Sequence, residues 1–261
     1  MTGMFAGKKK FIFDIDGTIA LGPVLIDGAK EFIERLERDG REIFILTNNT
    51  SKTPRMCSEQ LRSYGLDADK IRIITPLDAC VRYFVSKGYE RVYWAAVPEV
   101  SEYLTQRGLR FDRERPQAIL LAFDKTVTYE KFQTITRLIH EGTPYYATHI
   151  DIVCPTELGY PIPDVGSFIE LLRLTTGQTP LATFGKPNPS ILTETVASDG
   201  SFDDIVIFGD RLYTDIKLAE NCGALSVLVF SGETTREMYE ASDIKAGVTV
   251  DTIADLLAET L

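Results

Sequence analysis

Short apolar runs alternate with helical patterns along most of this chain, and that alternation limits the fold more than any other feature. Lys10 to Phe13, Glu42 to Leu46, Ile71 to Ile74 and Arg91 to Ala95 read as strands. So do Ala118 to Phe123, Tyr145 to Thr148, Ile205 to Phe208 and Ser226 to Phe230. Helical patterns fill the gaps: Ala29 to Arg38, Pro54 to Tyr64, Leu77 to Ser86, Glu99 to Gln106 and Tyr129 to Glu141. A further helix around Ser167, Phe168, Ile169, Leu171 and Leu172 ends near Gly177, and others cover Ser190 to Ala197, Asp215 to Cys222 and Thr252 to Thr260. In the first helix Phe32, Ile33 and Leu36 share a face, Asp27 can cap the start and Gly40 stops it. Pro54 suits a first turn, behind Thr53 or Ser51 as cap, with Gly65 at the end. The Pro- and Gly-rich stretch from Cys154 to Gly166 reads as loop. Parallel strands need crossovers, so strands alternating with helices predict an α/β fold on a parallel sheet. There is no long Gly/Ser linker, so a second domain would be an insertion with short hinges.

Composition removes several function classes. The 261 residues fit one large domain or two small ones, and 44% hydrophobic residues are enough to bury a core. A formal net charge of -10 argues against a nucleic-acid partner bound through phosphate neutralisation. No apolar run approaches the ~20 residues of a membrane span. Phe11-Ile12-Phe13 follows Lys8-Lys9-Lys10 but is broken at once by Asp14, which is no signal peptide. Cys57, Cys80, Cys154 and Cys222 form no C-x-x-C pair and no metal-ligand spacing with His140 or His149. Scattered free thiols fit a reducing compartment, so the expected location is cytoplasmic, with no membrane partner.

In open α/β sheets the site lies outside the carboxyl ends of the strands. Phe11-Ile12-Phe13 leads into Asp14-Ile15-Asp16-Gly17-Thr18, and Ile43 to Leu46 leads into Thr47-Asn48-Asn49. Ile205 to Phe208 leads into Gly209-Asp210 and on to Asp215, while Gly185-Lys186-Pro187 precedes a helix. These loops carry four carboxylates and one lysine. Converging carboxylates repel one another and raise their pKa values, a conflict that a divalent cation removes. Hard oxygens with incomplete protein coordination suit Mg²⁺, which takes one or two carboxylates plus substrate phosphate. Mg²⁺ and Lys186 together would neutralise a phosphoryl group, with Thr47, Asn48 and amides around Gly17 donating to its oxygens. An aspartate such as Asp14 can attack phosphorus, and a second carboxyl two residues on, Asp16, can protonate the leaving oxygen and later activate water.

These residues resemble a known family. Asp14-Ile15-Asp16-Gly17-Thr18 is similar to the first motif of the haloacid dehalogenase (HAD) superfamily phosphatases. Thr47-Asn48 resembles the second motif, Lys186 in Gly-Lys-Pro the third, and Gly209-Asp210 through Asp215 the fourth, in the same order. The long insertion between the second and third motifs resembles the α/β cap of the NagD-like, p-nitrophenylphosphatase-like branch. The resemblance covers essentially the whole chain. It implies a Rossmann-like HAD core over residues 1–78 and 182–261, with an inserted α/β cap over 79–181 that sets substrate preference and acts as a lid. It implies Asp14 as nucleophile and Asp16 as general acid/base. Mg²⁺ would be held by the carboxylates of Asp14 and Asp210 and the carbonyl of Asp16, with Asp215 orienting Lys186 or a metal-bound water. The substrate would be a small phosphorylated metabolite. Caps of α/β enzymes often supply dimer surfaces, so a homodimer through the cap is the expectation by analogy.

The cap departs from that branch's usual pattern twice. His149 stands in Ala147-Thr148-His149-Ile150-Asp151 where the branch usually has Asn, and Pro163-Asp164-Val165-Gly166 replaces Pro-Gly-x-Gly. His149 and Asp151 are candidate substrate-specificity residues, although a histidine in such a place is more often simply packed. Trp94 and the Phe168, Ile169, Leu172 stripe read as cap core. A dehalogenase has no use for an acid protonating an oxygen leaving group, so Asp16 counts against that activity. A phosphotransferase or phosphomutase would keep the same residues. A non-catalytic phosphate-binding regulatory protein would be marked by loss of Asp14 or Asp16, and both are present.

Overall fold

A computed structural model describes residues 3–156, 160–193, 195–197 and 201–258. Its contacts divide the chain into two compact units. One comprises Met1–Thr47, Met56–Ile74 and Lys186–Leu261; the other comprises Asn48–Arg55 and Thr75–Gly185.

The first unit is built on a six-stranded, all-parallel sheet. Its order is Val248–Val250, Leu225–Val229, Ile205–Gly209, Lys10–Phe13, Glu42–Leu46, Ile71–Ile74. The chain winds outward from Lys10–Phe13 in one direction, then returns to its other side and winds the opposite way. The switch falls between Lys10–Phe13 and Ile205–Gly209, where Phe13 is in register with Phe208 and Asp14 N–H donates to the Phe208 carbonyl at 3.0 Å. Alternation across the pleat sends Phe11, Phe13, Ile43, Ile45, Val206 and Phe208 to one core. Ile12, Phe44, Leu46, Ile205 and Ile207 go to the core on the opposite face. With both faces covered, these strands read as unbroken apolar runs, which is why they were legible. Phe13 stacks on Phe208 with ring centroids 4.4 Å apart, fixing the two strand ends that carry Asp14 and Asp210.

The second unit has a four-stranded parallel sheet in the order Arg110–Phe111, Arg91–Ala95, Ala118–Leu121, Tyr145–Ala147. Val92, Trp94, Ala118 and Leu120 pack on one face, and Tyr93, Ala95, Ile119 and Leu121 on the other. Trp94 also donates its indole N–H to Ser101 Oγ at 2.8 Å. Phe168, Ile169 and Leu172 belong to the core with Ile119, while Leu171 on the same helix is exposed.

Several local expectations are corrected. Helix Ala29–Arg38 is entered through Gly28 in left-handed backbone, not through an Asp27 side-chain cap. A Cβ at Gly28 would lie 2.6 Å from Ala254, so close packing dictates that entry. Strands end at Leu121 and Ala147; the Phe123 N–H donates to Thr50 Oγ1 at 3.0 Å rather than to a neighbouring strand. The helix expected from Asp215 begins at Lys217, after a π-helical turn over Leu212–Ile216. Helix Ser190–Thr193 is shorter than expected, and Glu194 lies outside the described residues. The tail is a 3₁₀ helix over Ile253–Ala258, and the expected continuation to Thr260 lies outside the described residues. The Cys154–Gly166 stretch contains a short hairpin of Val153–Cys154 and Ile162–Pro163, and helix Val165–Thr176 starts earlier than its apolar stripe suggests. A hairpin of Ala20–Leu21 and Val24–Leu25 and the helix Arg236–Ala241 carried no periodic signal: the first is two residues a side, the second buries no residue.

Candidate active site

The first unit gathers most of the sequence-predicted residues at its switch point. Asp14 leaves the end of Lys10–Phe13 and is buried. The chain then tightens: the Ile15 carbonyl accepts from the N–H groups of Thr18, Ile19 and Ala20, and Gly17 N–H donates to the Ala20 carbonyl at 2.8 Å. Gly17 has φ +96, and a Cβ there would stand 2.4 Å from Asp210 Oδ2, so this position requires glycine for conformation and for space. Asp16 is half-buried, bridged to Ala20. Thr47 is buried at the end of Glu42–Leu46, its N–H donating to the Ile74 carbonyl at 3.3 Å.

Lys186 is 3% exposed, and its Nζ lies 2.6 Å from both Asp14 Oδ1 and Asp215 Oδ1. Asp215 also receives the Arg211 N–H and the Thr214 hydroxyl on Oδ2, at 3.3 and 3.2 Å. The π-helical turn makes this possible, since it swings Asp215 back over Arg211, whose carbonyl accepts from both Asp215 and Ile216 N–H groups. Asp210 is fully buried. Its Oδ2 accepts the Glu233 N–H at 2.6 Å, and its Oδ1 has no partner. Thr18 Oγ1 is also buried without a partner, and nothing in the structure explains it.

Carboxylate oxygens of Asp14, Asp210 and Asp215 lie within 4.8 Å of one another. Burial pushes the Asp14 carboxyl up to about 7, opposed by the Lys186 charge and reinforced by Asp215 and Asp16. Burial also lifts Asp210 well above the ordinary carboxylate range, and Asp14 and Asp215 add to the rise. Burial pulls Lys186 downward, but its two carboxylate partners outweigh that and hold it above the usual lysine range. Three buried carboxylates against one ammonium leave an excess of two negative charges when all are ionised. A divalent cation on the bare Asp210 Oδ1 would cancel that excess, so the donor set fits a hard cation such as Mg²⁺.

The second unit holds Asn48, His149 and Asp151. The Asn48 amide donates to Asp151 Oδ1 at 2.8 Å. His149 is fully buried, with Nδ1 2.9 Å from Thr148 Oγ1 and Nε2 3.0 Å from Asp164 Oδ1. Thr148 Oγ1 also pairs with Thr50 Oγ1 at 2.9 Å. Asp164 Oδ1 accepts the Val165 N–H at 2.6 Å as the cap of helix Val165–Thr176. The two positions that depart from the family-like pattern, 149 and 164, are therefore bonded to each other. The loop Ser231-Gly232-Glu233-Thr234, which holds Asp210, was absent from the sequence reading. It follows the apolar run Ser226 to Phe230, so the strand-end rule would have found it.

A doubly wound parallel sheet with a buried acidic cluster at its switch point defines an open α/β protein, the class in which ligands bind outside the carboxyl ends of the strands. Comparison with known proteins narrows that class. Residues 11–110 match the haloacid dehalogenase-like hydrolase family and residues 183–256 match a HAD-hydrolase-like family. The 4-nitrophenylphosphatase of Thermotoga maritima has 33% sequence identity and a TM-score of 0.88, covering 96% of each chain. A 5′-nucleotidase of Bacillus subtilis is 30% identical over 231 residues, spanning 88% of this chain and 90% of its own length. An acid sugar phosphatase of Staphylococcus haemolyticus is 31% identical over 240 residues, spanning 90% of each. This chain belongs to the haloacid dehalogenase-like hydrolase family, in a NagD- and nitrophenylphosphatase-type branch whose named members are phosphatases.

Proposed function

We propose that this HAD-family phosphatase is a Mg²⁺-dependent phosphomonoesterase that works through an aspartyl-phosphate on Asp14. The observation that carries the reading is the unpartnered Asp210 Oδ1, buried beside Asp14 with more carboxylates than cations. The Asp14 and Asp210 carboxylates and the Asp16 carbonyl would hold the metal, which supplies positive charge against the phosphoryl oxygens. Lys186 would add its charge to the same oxygens, and Asp215 keeps that ammonium in place. Thr47 and Asn48 would donate hydrogen bonds to the phosphoryl group together with backbone amides beside Gly17, whose own N–H is given to the Ala20 carbonyl.

Asp14 attacks phosphorus as the bond to the ester oxygen breaks, and Asp16 gives that oxygen its proton. Asp16, now a carboxylate, takes a proton from water. The water oxygen attacks phosphorus, the bond to Asp14 breaks, and inorganic phosphate leaves. The relatives are named for nucleotides, sugar phosphates and nitrophenyl phosphate, which supports a small phosphorylated metabolite as substrate. The second unit would set the choice among such esters. No helix among the described residues is long and apolar enough to cross a membrane, and a cytoplasmic location belongs to the same proposal.

The test is phosphate release from p-nitrophenyl phosphate and a panel of sugar phosphates and nucleoside monophosphates, with Mg²⁺ and with EDTA. Turnover should need the metal, and Asp14→Asn should lower it by about 10⁴-fold or more while leaving the fold intact. Full activity in EDTA, or in the folded Asp14→Asn variant, would overturn the reading.

A further inference from the structure

The loop after strand Leu225–Val229 touches Asp210 at more points than packing alone would need. Ser231 Oγ donates to the Gly17 carbonyl at 2.7 Å, tying this loop to the Asp14–Thr18 turn. Glu233 N–H donates to Asp210 Oδ2 at 2.6 Å, and Thr234 N–H donates to the Asp210 carbonyl at 3.2 Å. The Glu233 side chain lies 2.9 Å from Arg211 Nε, an ion pair by distance rather than by hydrogen-bond alignment. Between these tethers sits Gly232. It is exposed to solvent and its φ is outside the left-handed region, so neither core packing nor backbone conformation calls for glycine. The reason lies on its other side: a Cβ at Gly232 would stand 2.0 Å from Asp210 Oδ2 and 2.4 Å from Cγ. Gly17 closes on the same oxygen, so Asp210 Oδ2 is enclosed by two glycines and one amide, while Oδ1 carries nothing.

We propose that Ser231–Thr234 is a positioning loop for the metal site: it fixes Asp210 by Oδ2 and the backbone, so that Oδ1 is the oxygen offered to the divalent cation. The inference rests on the reading of Asp210 as a metal ligand. Outer-shell partners of ligating carboxylates set ligand orientation and hence affinity. None of the loop's side chains needs to touch the ion or the substrate.

The experiment is a Mg²⁺ titration of the EDTA-stripped full chain, read as the rise in melting temperature, with Mg²⁺ dependence of turnover as second readout. The wild-type chain should respond to Mg²⁺ and Asp210→Asn should not. If wild type itself shows no response, the metal reading fails and this proposal falls with it. Given a wild-type response, Gly232→Ala should weaken Mg²⁺ about tenfold or more, and turnover should recover as Mg²⁺ is raised. Ser231→Ala should weaken Mg²⁺ severalfold, and Ser231→Thr, which keeps the hydroxyl, should return to wild type. Should Gly232→Ala fail to fold, the Ser231 pair decides alone. Unchanged affinity in folded Gly232→Ala, or equal affinities for Ser231→Ala and Ser231→Thr, would overturn the loop's role while leaving the metal site standing.

Discussion

Two buried clusters in this protein look alike by composition and proximity. Asp14, Asp210 and Asp215 in the first unit, and His149, Asp151 and Asp164 in the second, each bring candidate ligand atoms within 4.8 Å of one another. Their hydrogen bonding separates them. In the second cluster both imidazole nitrogens are engaged, Asp164 caps a helix, and Asp151 takes the Asn48 amide. In the first, one lysine serves two carboxylates, and a third keeps an oxygen bare in the interior. Buried polar groups are almost always partnered, so a bare one marks either a cost that the fold bears or a place kept for a ligand. Proximity of acids does not distinguish the two clusters; the state of their lone pairs does. Predictions follow from treating one cluster as incomplete and the other as complete.

The largest effect is expected where the incomplete cluster loses Lys186, the cation that two of its carboxylates share. Lys186→Met would leave Asp14 and Asp215 buried together without a counter-charge, a loss of about 3–5 kcal/mol by the usual cost of breaking a buried pair. The cost should grow as pH rises, because protonation of either carboxyl relieves it. Urea unfolding of wild type and variant at pH 5 and pH 8 measures this. A Lys186→Met protein as stable as wild type at pH 8 would mean that the cluster is not held together by that charge.

Metal should act next in size. The Asp14 pKa in the fold, about 7, lies above its ordinary 3.8, so the folded chain binds a proton there more tightly than the unfolded chain does. Its contribution to stability is therefore complete below about pH 4 and is lost as pH climbs through 7 in the metal-free protein. Mg²⁺ competes with that proton for the same carboxylates, so it should stabilise little at pH 5 and more at pH 8. At a hundred times its dissociation constant, Mg²⁺ adds about 2.7 kcal/mol. Thermal melts with and without Mg²⁺ at the two pH values check the sign. A larger Mg²⁺ effect at pH 5 would contradict it.

The same contrast explains what the sequence could reveal. Runs such as Phe11-Ile12-Phe13 and Ile205 to Phe208 are buried on both faces, so hydrophobicity alone located them, and the loop beyond each run was the place to look for acids. That logic reached Asp14, Lys186, Asp210 and Asp215, which the fold brings together. It could not reach interactions made by backbone groups or by the absence of a side chain. Gly232 reads as a surface turn residue until its Cβ direction is seen to be filled by Asp210. The turn over Leu212–Ile216 is π-helical, the Ile216 and Lys217 N–H groups donating to the Arg211 and Leu212 carbonyls five residues back, and no periodicity announces that. Likewise, His149 and Asp164 are fifteen residues apart in sequence, and only the fold shows them at 3.0 Å.

The smallest expected effect tests the complete cluster through that pair. If His149 and Asp164 are a coupled substitution, each keeps the other's polar atom satisfied in the interior. His149→Asn alone shortens the side chain and strands Asp164 Oδ1 with only the Val165 N–H; Asp164→Gly alone strands His149 Nε2 and removes a helix cap. Each should cost about 1–3 kcal/mol, the penalty for a buried group left without its partner. The double variant should cost less than the sum, by a coupling of about 0.5–3 kcal/mol. Mg²⁺ affinity should stay at the wild-type value in all three, because the proposed metal site is the other cluster. Denaturant unfolding gives the cycle, and the Mg²⁺-dependent shift in melting temperature gives the affinity. Strict additivity would dissolve the pair, and a loss of Mg²⁺ affinity on changing His149 would erase the distinction between the two clusters.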